Sequence, residues 1–554
     1  MVGGLEPVRQ ANGESRSGAG ASGGDNLAAM KAQRRVPGAG TLWVWPGTLV
    51  ALLVAGLIVG TLGAVLWRAG GVAGLRGSDW AALRFTVLQA VLSAGLSVAL
   101  AAPVARALAR RQFAGRGLLV GLMGAPFVLP VIVAVLGLLA VFGRNGLVNA
   151  GLGWVGVPPV GIYGLQGVVL AHVFFNLPLA VRLILQGWVS IPAERFRLAA
   201  SLGFGPREVF WRLELPMLRE VVPGVALAVF LLCLTSFAVA LMLGGGPAAT
   251  TLELAIYQAF RFEFDLERAA VLAMVQFVLC GLASVLALWW VLPSGIGVGL
   301  DRRAERWDTD GWGLRALDVA IIGLAALFLL TPLAMVTARG APYLTGLPGS
   351  VWAAAGRSVV LALGSAGLAL AMGVALALAA VRFRWLEGVG MLALAASPLV
   401  LGTGLFLLLF GWADPVALAL PVTGLVNAVM ALPFVLRAVL PELRGIEAGH
   451  GRLADSLGLV GWSRIRWLIL PRLARPLGFA AGLAAALSMG DLGVVALFGD
   501  PEAATLPLQV YRLMGAYRMD MAQGAAVLLL ALSLGLFWLL DGVARWGRQK
   551  HAGP

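Results

Sequence analysis

The sequence has few charged residues for its length. Only 12% of its 554 residues are Asp, Glu, Lys or Arg, whereas 60% are hydrophobic, and the mean hydropathy is +0.90. A water-soluble protein of this size cannot bury that much apolar surface in its core. The composition therefore excludes a soluble globular protein and predicts an integral membrane protein.

Residues that bind metals or act as nucleophiles are also scarce. Cys233 and Cys280 are the only cysteines and lie in long apolar runs, which excludes a secreted disulfide framework and favours inert core positions. The three histidines, His172, His450 and His551, are dispersed, and neither HExxH nor CxxC occurs. No Ser, His and Asp set can be placed on one side of a membrane. We therefore expect no metal site and no catalytic centre.

Lysine is nearly absent, and this rules out a common ATP-binding motif. A P-loop requires GxxxxGK followed by Ser or Thr, because the lysine and the hydroxyl contact the phosphates and Mg²⁺. The two lysines are Lys31, which precedes Ala32, and Lys550, which precedes His551. The chain is therefore not expected to be an enzyme, and any ATP-driven function would require a partner subunit.

Long apolar runs are what the sequence has in abundance. A helix needs about 20 mostly apolar residues to cross the hydrocarbon core of a bilayer, and twelve segments meet this length. They predict an all-α integral membrane protein with about 12 transmembrane helices, near residues 47–67, 82–105, 118–142, 165–187, 221–243, 269–292, 316–337, 354–380, 388–410, 416–439, 477–498 and 524–544.

The charged residues that do occur are unevenly placed. The formal net charge is +14, and most of the 41 Lys and Arg residues fall on one side of the membrane if the N-terminus is cytoplasmic. This bias predicts that both termini are cytoplasmic. No basic stretch is interleaved with aromatic residues, so no nucleic-acid partner is expected. Residues 1–40 are rich in Gly, Ser, Ala and Arg and predict a disordered cytoplasmic tail.

Two parts of the chain resemble each other in the same order. NLPLAVR at 176–182 corresponds to ALPFVLR at 431–437, and TLELAIY at 251–257 corresponds to TLPLQVY at 505–511. Each part holds six predicted spans, so both enter the membrane in the same orientation as parallel repeats, an architecture typical of transporters. The predicted organisation is a six-helix half at 41–295, a cytoplasmic linker at 296–315, a second six-helix half at 316–546 and a cytoplasmic tail at 547–554.

A polar heptad is repeated in two predicted cytoplasmic loops. RLAASLG at 197–203 and RLADSLG at 452–458 each end in a glycine that lies thirteen residues before the proline of LELP or LILP. The heptad predicts a short amphipathic helix, the glycine a turn that other residues resist, and the proline the approach to the next helix. A helix with a small apolar face, present twice, predicts a docking element for a symmetric pair of partner sites.

These segments resemble the coupling-helix motif of binding-protein-dependent ABC importer permeases. The resemblance implies the type I importer permease fold, and two copies of a cytoplasmic ABC ATPase subunit that bind ATP and Mg²⁺ and receive the two segments. The usual EAA opening of the motif is RLA here, so contacts that rely on the family's glutamate have no counterpart. The candidate ATPase-coupling residues are Arg197, Leu198, Ala199, Gly203, Pro216, Arg452, Leu453, Ala454, Gly458 and Pro471.

Three further stretches narrow the resemblance. YGLQGVVLAHVFFNLPLAVRLILQ at 163–186, LGGGPAATTLELAIYQA at 243–259 and SMGDLGVVALFGD at 488–500 look like thiamine importer permeases of Gram-negative bacteria. This implies ATP-driven import of thiamine, or also its phosphates, across the bacterial inner membrane by alternating access. It also implies a periplasmic thiamine-binding protein as a partner.

Two alternatives stay open at this point. Ferric-iron permeases of the same class share the fused two-half layout and some of these loops. An ion-coupled secondary transporter can also have twelve spans in parallel repeats. Such a transporter has no need of two matched cytoplasmic segments, which makes it the less favoured alternative.

Polar residues inside the predicted spans are candidates for the translocation path, because burying them in a membrane is costly. Asp491 corresponds to Ser236 in the first half, and it either lines the path or supports a helix end. His172 corresponds to Asn427, and such residues either line the path or form hydrogen bonds between helices. The candidate path residues are Gln166, His172, Asn176, Ser236, Asn427 and Asp491.

Two duplicated outer loops carry Glu253, Tyr257 and Tyr511. In each loop, turn residues are followed by an amphipathic piece that contains one of the tyrosines. The loops either form a platform that receives the binding protein, with Glu253 as an added negative charge, or they simply cap the outer side.

Overall fold

The computed structural model describes residues 44–68, 75–123, 128–288, 311–394, 396–410, 412–414, 417–498 and 504–549. The predicted tail at 1–40, most of the linker at 296–315 and the last five residues lie outside the described residues. The boundaries proposed for the two halves therefore stay predictions.

The described residues form helices joined by turns, with no β-strand among them. Long apolar runs favour this outcome, because a helix satisfies its own backbone hydrogen bonds where lipid offers no partner. The helices are α1 (Val44–Arg68), α2 (Gly77–Arg110), α3 (Arg116–Leu122), α4 (Val131–Phe142), α5 (Leu147–Trp154), α6 (Leu165–Ser190), α7 (Ala193–Ser201), α8 (Leu215–Leu234), α9 (Phe237–Leu243), α10 (Leu252–Arg261), α11 (Leu266–Leu288), α12 (Trp312–Gly340), α13 (Gly349–Arg382), α14 (Trp385–Met391), α15 (Pro398–Leu409), α16 (Ala419–Ser456), α17 (Leu470–Met489), α18 (Gly493–Phe498), α19 (Leu506–Gly515) and α20 (Met519–Gln549).

Eleven helical segments of the described chain are long and apolar enough to cross a membrane. The predicted ninth span, 388–410, is not among them, because it breaks into α14 and the twelve-residue α15. The break falls where Ser397 caps α15, its Oγ accepting a hydrogen bond from the Val400 amide at 3.1 Å, and where a proline opens the helix. Within the described residues, the third crossing corresponds to Val131–Trp154, and residues 124–127 before it lie outside the described chain.

The two repeats exchange their first helices. Helix α1 packs against α13 and α15 of the second repeat, and α12 packs against α2 and α4 of the first. Glycines permit both crossings: a Cβ on Gly47 would lie 2.3 Å from the Ala375 carbonyl oxygen, and one on Gly137 would lie 2.5 Å from that of Pro332. Small residues at such contacts let membrane helices approach closely. Each repeat is therefore fastened to the other by a helix at its own beginning.

Two spans that carry polar candidates are the most buried of the candidate spans in the described chain. In the segments Leu165–Ser190 and Trp462–Phe498, 83% of the apolar window is buried, compared with 28% in Val44–Arg68. The fifth and eleventh spans are each interrupted, between α8 and α9 and between α17 and α18. Ser236 and Asp491 lie in these two breaks, at corresponding places in the repeat.

Candidate functional site

The first coupling segment, which we define as residues 192–216, contains the separate short helix α7. Gly203 ends this helix with a φ of +69°, in the left-handed region that residues with a side chain rarely adopt. The Phe204 amide donates back to the Ala199 carbonyl at 3.0 Å and closes the helix end. The prediction of a glycine-dependent turn after the heptad is confirmed here.

The second coupling segment, residues 447–471, has the same turn at the end of a longer helix. Helix α16 runs without interruption from its transmembrane part to Ser456, and Gly458 follows with a φ of +65°. The Leu459 amide donates to the Ala454 carbonyl at 2.9 Å, which reproduces the bond found in the first segment. The two turns therefore match in sequence, dihedral angle and hydrogen bonding.

Each segment leaves leucines uncovered. Leu198 is 61% exposed and Leu453 is 58% exposed, and Leu202 and Leu457 are exposed one turn further on. Ala199 and Ala454 face inward and are buried, whereas Arg197 and Arg452 are exposed beside the leucines. An exposed leucine pair with a flanking arginine is therefore present twice, in two equivalent surfaces.

The prolines of the two segments lie at the second residue of the helix that follows. Pro216 is in the first turn of α8 and Pro471 in the first turn of α17. A π-helical turn precedes each, at Phe210–Glu214 and Ile465–Ile469, and such turns are frequent at functional sites. Because each segment leads directly into a transmembrane helix, a shift of the segment would be passed to that helix.

Three of the polar path candidates lie deep in the repeats, where they contact their own repeat. In the first, Ser93 Oγ and His172 Nδ1 are 3.3 Å apart, and Asn176 Nδ2 donates to Cys233 Sγ at 3.4 Å. In the second, Asn427 Nδ2 donates to Ser488 Oγ at 3.0 Å.

These contacts link neighbouring helices and agree with the hydrogen-bonding alternative. Ser488 corresponds to Cys233 in the repeat, so the same pair of helices is joined in each half. No described contact brings His172 and Asn427 together across the seam between the repeats.

The remaining path candidates occupy helix starts. Asp491 Oδ1 accepts a hydrogen bond from the Gly493 amide at 3.1 Å and so supports the start of α18, and the side chain of Asn427, another path candidate, lies against the same carboxyl group. Ser236 precedes α9 without a side-chain cap. Gln166 is exposed at the start of α6, where Nε2 donates to the Gly161 carbonyl at 3.4 Å.

Two of the outer loop residues, Tyr257 and Tyr511, lie near each other where the two repeats meet, on the side opposite the coupling segments. Tyr257 on α10 packs edge-on against Phe237 at 5.2 Å between ring centroids. Burial raises the pKa of Tyr257, and Tyr511 of the second repeat lies near enough to raise that pKa further. The two corresponding tyrosines therefore approach each other across the seam.

Glu253 does not lie on the outer surface in this conformation. Its side chain is completely buried, and burial raises its pKa from the ordinary 4.5 to about 7. Gln276 of α11 and Ser397 at the start of α15 lie against the carboxyl group. Neither residue was a candidate from the sequence, although a glutamine inside an apolar run was a signal for Gln276.

The described residues contain no group of three or more His, Cys, Asp or Glu side chains arranged to hold a metal ion. The candidate site therefore consists of two matched segments with exposed leucines on one side and a polar, aromatic seam on the other. An all-helical, duplicated membrane protein with these features is a permease, the membrane-spanning part of a transporter.

Comparison with known proteins gives the family. No protein-family model matches the chain. The thiamine transport system permease protein ThiP of Brucella abortus (strain 2308) is 39% identical over 514 residues, which is 90% of this chain and 95% of that protein. The protein of the same name from Escherichia coli (strain K12) is 40% identical over 539 residues, covering 93% and 98%. This chain belongs to the family of thiamine transport system permease proteins.

A more distant similarity lies outside that family. The sulfate transport system permease protein CysW of Synechococcus elongatus is 31% identical over 147 residues, which cover 26% of this chain and 51% of that protein. Part of the chain is thus shared with a permease named for a different substrate.

Proposed function

We propose that this chain is the membrane permease of an ATP-driven importer that carries thiamine from the periplasm to the cytoplasm. The observation that carries the proposal is the similarity to proteins named as thiamine transport permeases, at 39% to 40% identity over nine tenths of the chain. Such coverage includes both coupling segments and the seam.

The proposed partners follow from the two sides of the molecule. Two copies of a cytoplasmic ABC ATPase dock on the coupling segments, where Leu198 and Leu453 are exposed in matching positions. A periplasmic thiamine-binding protein docks on the opposite side, near the helices α10 and α19. Both termini are then cytoplasmic, in agreement with the placement of the positive charges.

The proposed mechanism is alternating access. ATP binding closes the ATPase dimer and draws the two coupling segments together. The segments move α8 and α17, into which they lead, and the outer side of the seam opens to receive thiamine. Hydrolysis in the partner subunits reverses the motion, and this chain contributes the path and the transmission rather than the hydrolysis.

The experiment that tests the proposal is ATPase activity of the permease reconstituted in liposomes with its ATPase subunit. Thiamine-loaded and iron-loaded binding proteins are added in turn. We expect stimulation by the thiamine-loaded protein alone. Stimulation only by the iron-loaded protein would move the substrate to ferric iron, and failure to assemble with any ATPase subunit would return the ion-coupled transporter to consideration.

A further inference from the structure

A buried carboxyl group lies where the two repeats meet on the outer side. Glu253 is on α10 of the first repeat, and α10 packs against α15 and α18 of the second. One further contact across this boundary is the edge-on packing of Phe260 on Phe406, with 4.6 Å between centroids. Alternating access requires these surfaces to separate, so Glu253 lies at a place that opens during the cycle.

The hydrogen bonding between Glu253 and Gln276 leaves one oxygen of each side chain unpaired. Gln276 Nε2 donates to Glu253 Oε1 at 3.1 Å. Glu253 Oε2 and Gln276 Oε1 are both buried, and neither has a hydrogen-bond partner among the described residues. Leaving two buried acceptors unpaired is costly.

A single proton can pair both of these unpaired oxygens. A hydrogen on Glu253 Oε2 can donate to Gln276 Oε1 and complete a cyclic acid–amide pair. Such a pair favours the neutral form of Glu253 in the closed seam.

Burial, Gln276 and Ser397 set the pKa of Glu253, and no positive charge is among these causes. Cys280 on α11 lies near Glu253, whereas Arg261 and Arg512 lie near Tyr257 and lower the pKa of its hydroxyl group. An ionised carboxylate here would be stable only with water or with a cation from outside the chain.

Aromatic rings lie beside this carboxyl group. Tyr257 is four residues after Glu253 and so lies on the same face of α10, and Tyr511 approaches it from the second repeat. The faces of aromatic rings attract cations. The second repeat has Pro507 where the first has Glu253, so the repeat does not duplicate this carboxylate.

We propose that Glu253, with Tyr257 and Tyr511, forms the site that receives the positively charged aromatic ring of the substrate when the outer side of the seam opens. This proposal rests on the proposed import of thiamine, whose thiazolium ring carries that charge. On opening, water reaches Glu253 and takes its proton, and the carboxylate pairs with the cation. When the substrate has moved inward, the carboxyl group takes a proton from water and pairs again with Gln276.

The test is the variant Glu253→Gln in the reconstituted complex of permease, ATPase and thiamine-loaded binding protein. Glutamine imitates the neutral acid, since its amide can form the same cyclic pair with Gln276, so the complex should assemble normally. We expect the binding protein to stimulate ATP hydrolysis as before, while thiamine imported per ATP hydrolysed falls on the order of tenfold. Glu253→Asp, which keeps the charge, should restore part of the loss.

The matched control is Glu267→Gln, which removes an exposed carboxylate from the first turn of α11 on the same side. It should transport as the unaltered protein does. Equal losses in both variants would point to general surface charge, and normal import by Glu253→Gln would remove Glu253 from the path; either result overturns the proposal. Failure of Glu253→Gln to assemble would overturn the acid–amide pair. Failure of the unaltered complex to import thiamine would instead refute the proposed function.

Discussion

The two coupling segments share a glycine turn and exposed leucines but are fastened to the membrane helices differently. In the first, Arg106 of α2 donates to Glu214 at 2.7 Å and lies over the Phe210 ring, so a neighbouring span holds the π turn. In the second, Arg464 pairs with Glu447 and with Asp455, the latter at 2.6 Å. The position that corresponds to Arg464 in the first segment is Val209.

The features shared by the two segments are those proposed for docking, and the features that differ are those that connect each segment to its membrane helices. The glycine turn and the exposed leucines are the same in both segments, and they form the surface that we propose for docking. The fastening differs because Glu447 and Asp455 lie in α16 itself, so Arg464 ties that helix to the one that follows. The second segment is therefore expected to move as one rigid unit with its spans, whereas the first is expected to move with α2.

The largest effect is expected from substitutions of the glycine that both coupling segments share. Gly203→Pro and Gly458→Pro each place proline, whose φ is fixed near −65°, where the backbone has a φ of +69° or +65°. We expect each variant to insert in the membrane and to lose thiamine import almost completely, as measured in proteoliposomes. Gly203→Asn and Gly458→Asn are the controls, because asparagine tolerates the left-handed conformation. Normal import by either proline variant would separate that segment from coupling.

The next effect is confined to the second segment. Arg464→Met leaves Glu447 buried without its cation, since the side chains of this pair are only 6% and 9% exposed. Breaking a buried ion pair costs about 3–5 kcal/mol. We expect a lower melting temperature and weaker stimulation of the ATPase by the loaded binding protein. The double variant Arg464→Met with Glu447→Met should recover most of the stability, and a single variant with unchanged melting would show that the pair fastens nothing.

A smaller effect is expected at the first segment. Arg106→Met removes a charged partner from the fully buried Glu214, which would cost about 1–3 kcal/mol. The loss is smaller than at Arg464 because the Arg106 side chain is already 27% exposed. Differential scanning fluorimetry of the purified permease provides the measurement. A larger loss here than for Arg464→Met would reverse the order of the two segments.

Local features of the segments could be read from the sequence because they depend on neighbouring residues. The heptad, the glycine and the proline each fix a local backbone shape, and Leu198 and Leu453 follow from helical spacing. The break in the ninth predicted span was less visible, because 388–410 is apolar almost throughout. Pro398 was a usable signal, since the residue before a proline is disfavoured in a helix.

Contacts between the repeats could not be read in this way. An apolar helix packs equally well on many apolar surfaces within lipid. The sequence of Val44–Arg68 therefore does not indicate that this helix packs against the second repeat. Glu253 was expected to lie on the outer surface because it is in a loop, and its burial depends on Gln276 and Ser397, which are distant in sequence. Such partners are found only when the fold brings them together.

The smallest effect is expected on the outer side of the molecule, where the two repeats also differ. Glu253 contacts Gln276 in the first repeat, and the residue that corresponds to Glu253 in the second repeat is Pro507. The folded pKa of Glu253, about 7, exceeds its ordinary 4.5 because the group is buried. Between these values the folded protein keeps a proton that the unfolded chain has released, so its stability falls as the pH rises from about 4.5 to about 7. We expect the melting temperature of the unaltered permease to fall by a few degrees relative to Glu253→Gln over this interval, and to run parallel to it above pH 8. Melting curves that stay parallel from pH 5 to pH 8 would show that Glu253 is already ionised in the closed seam.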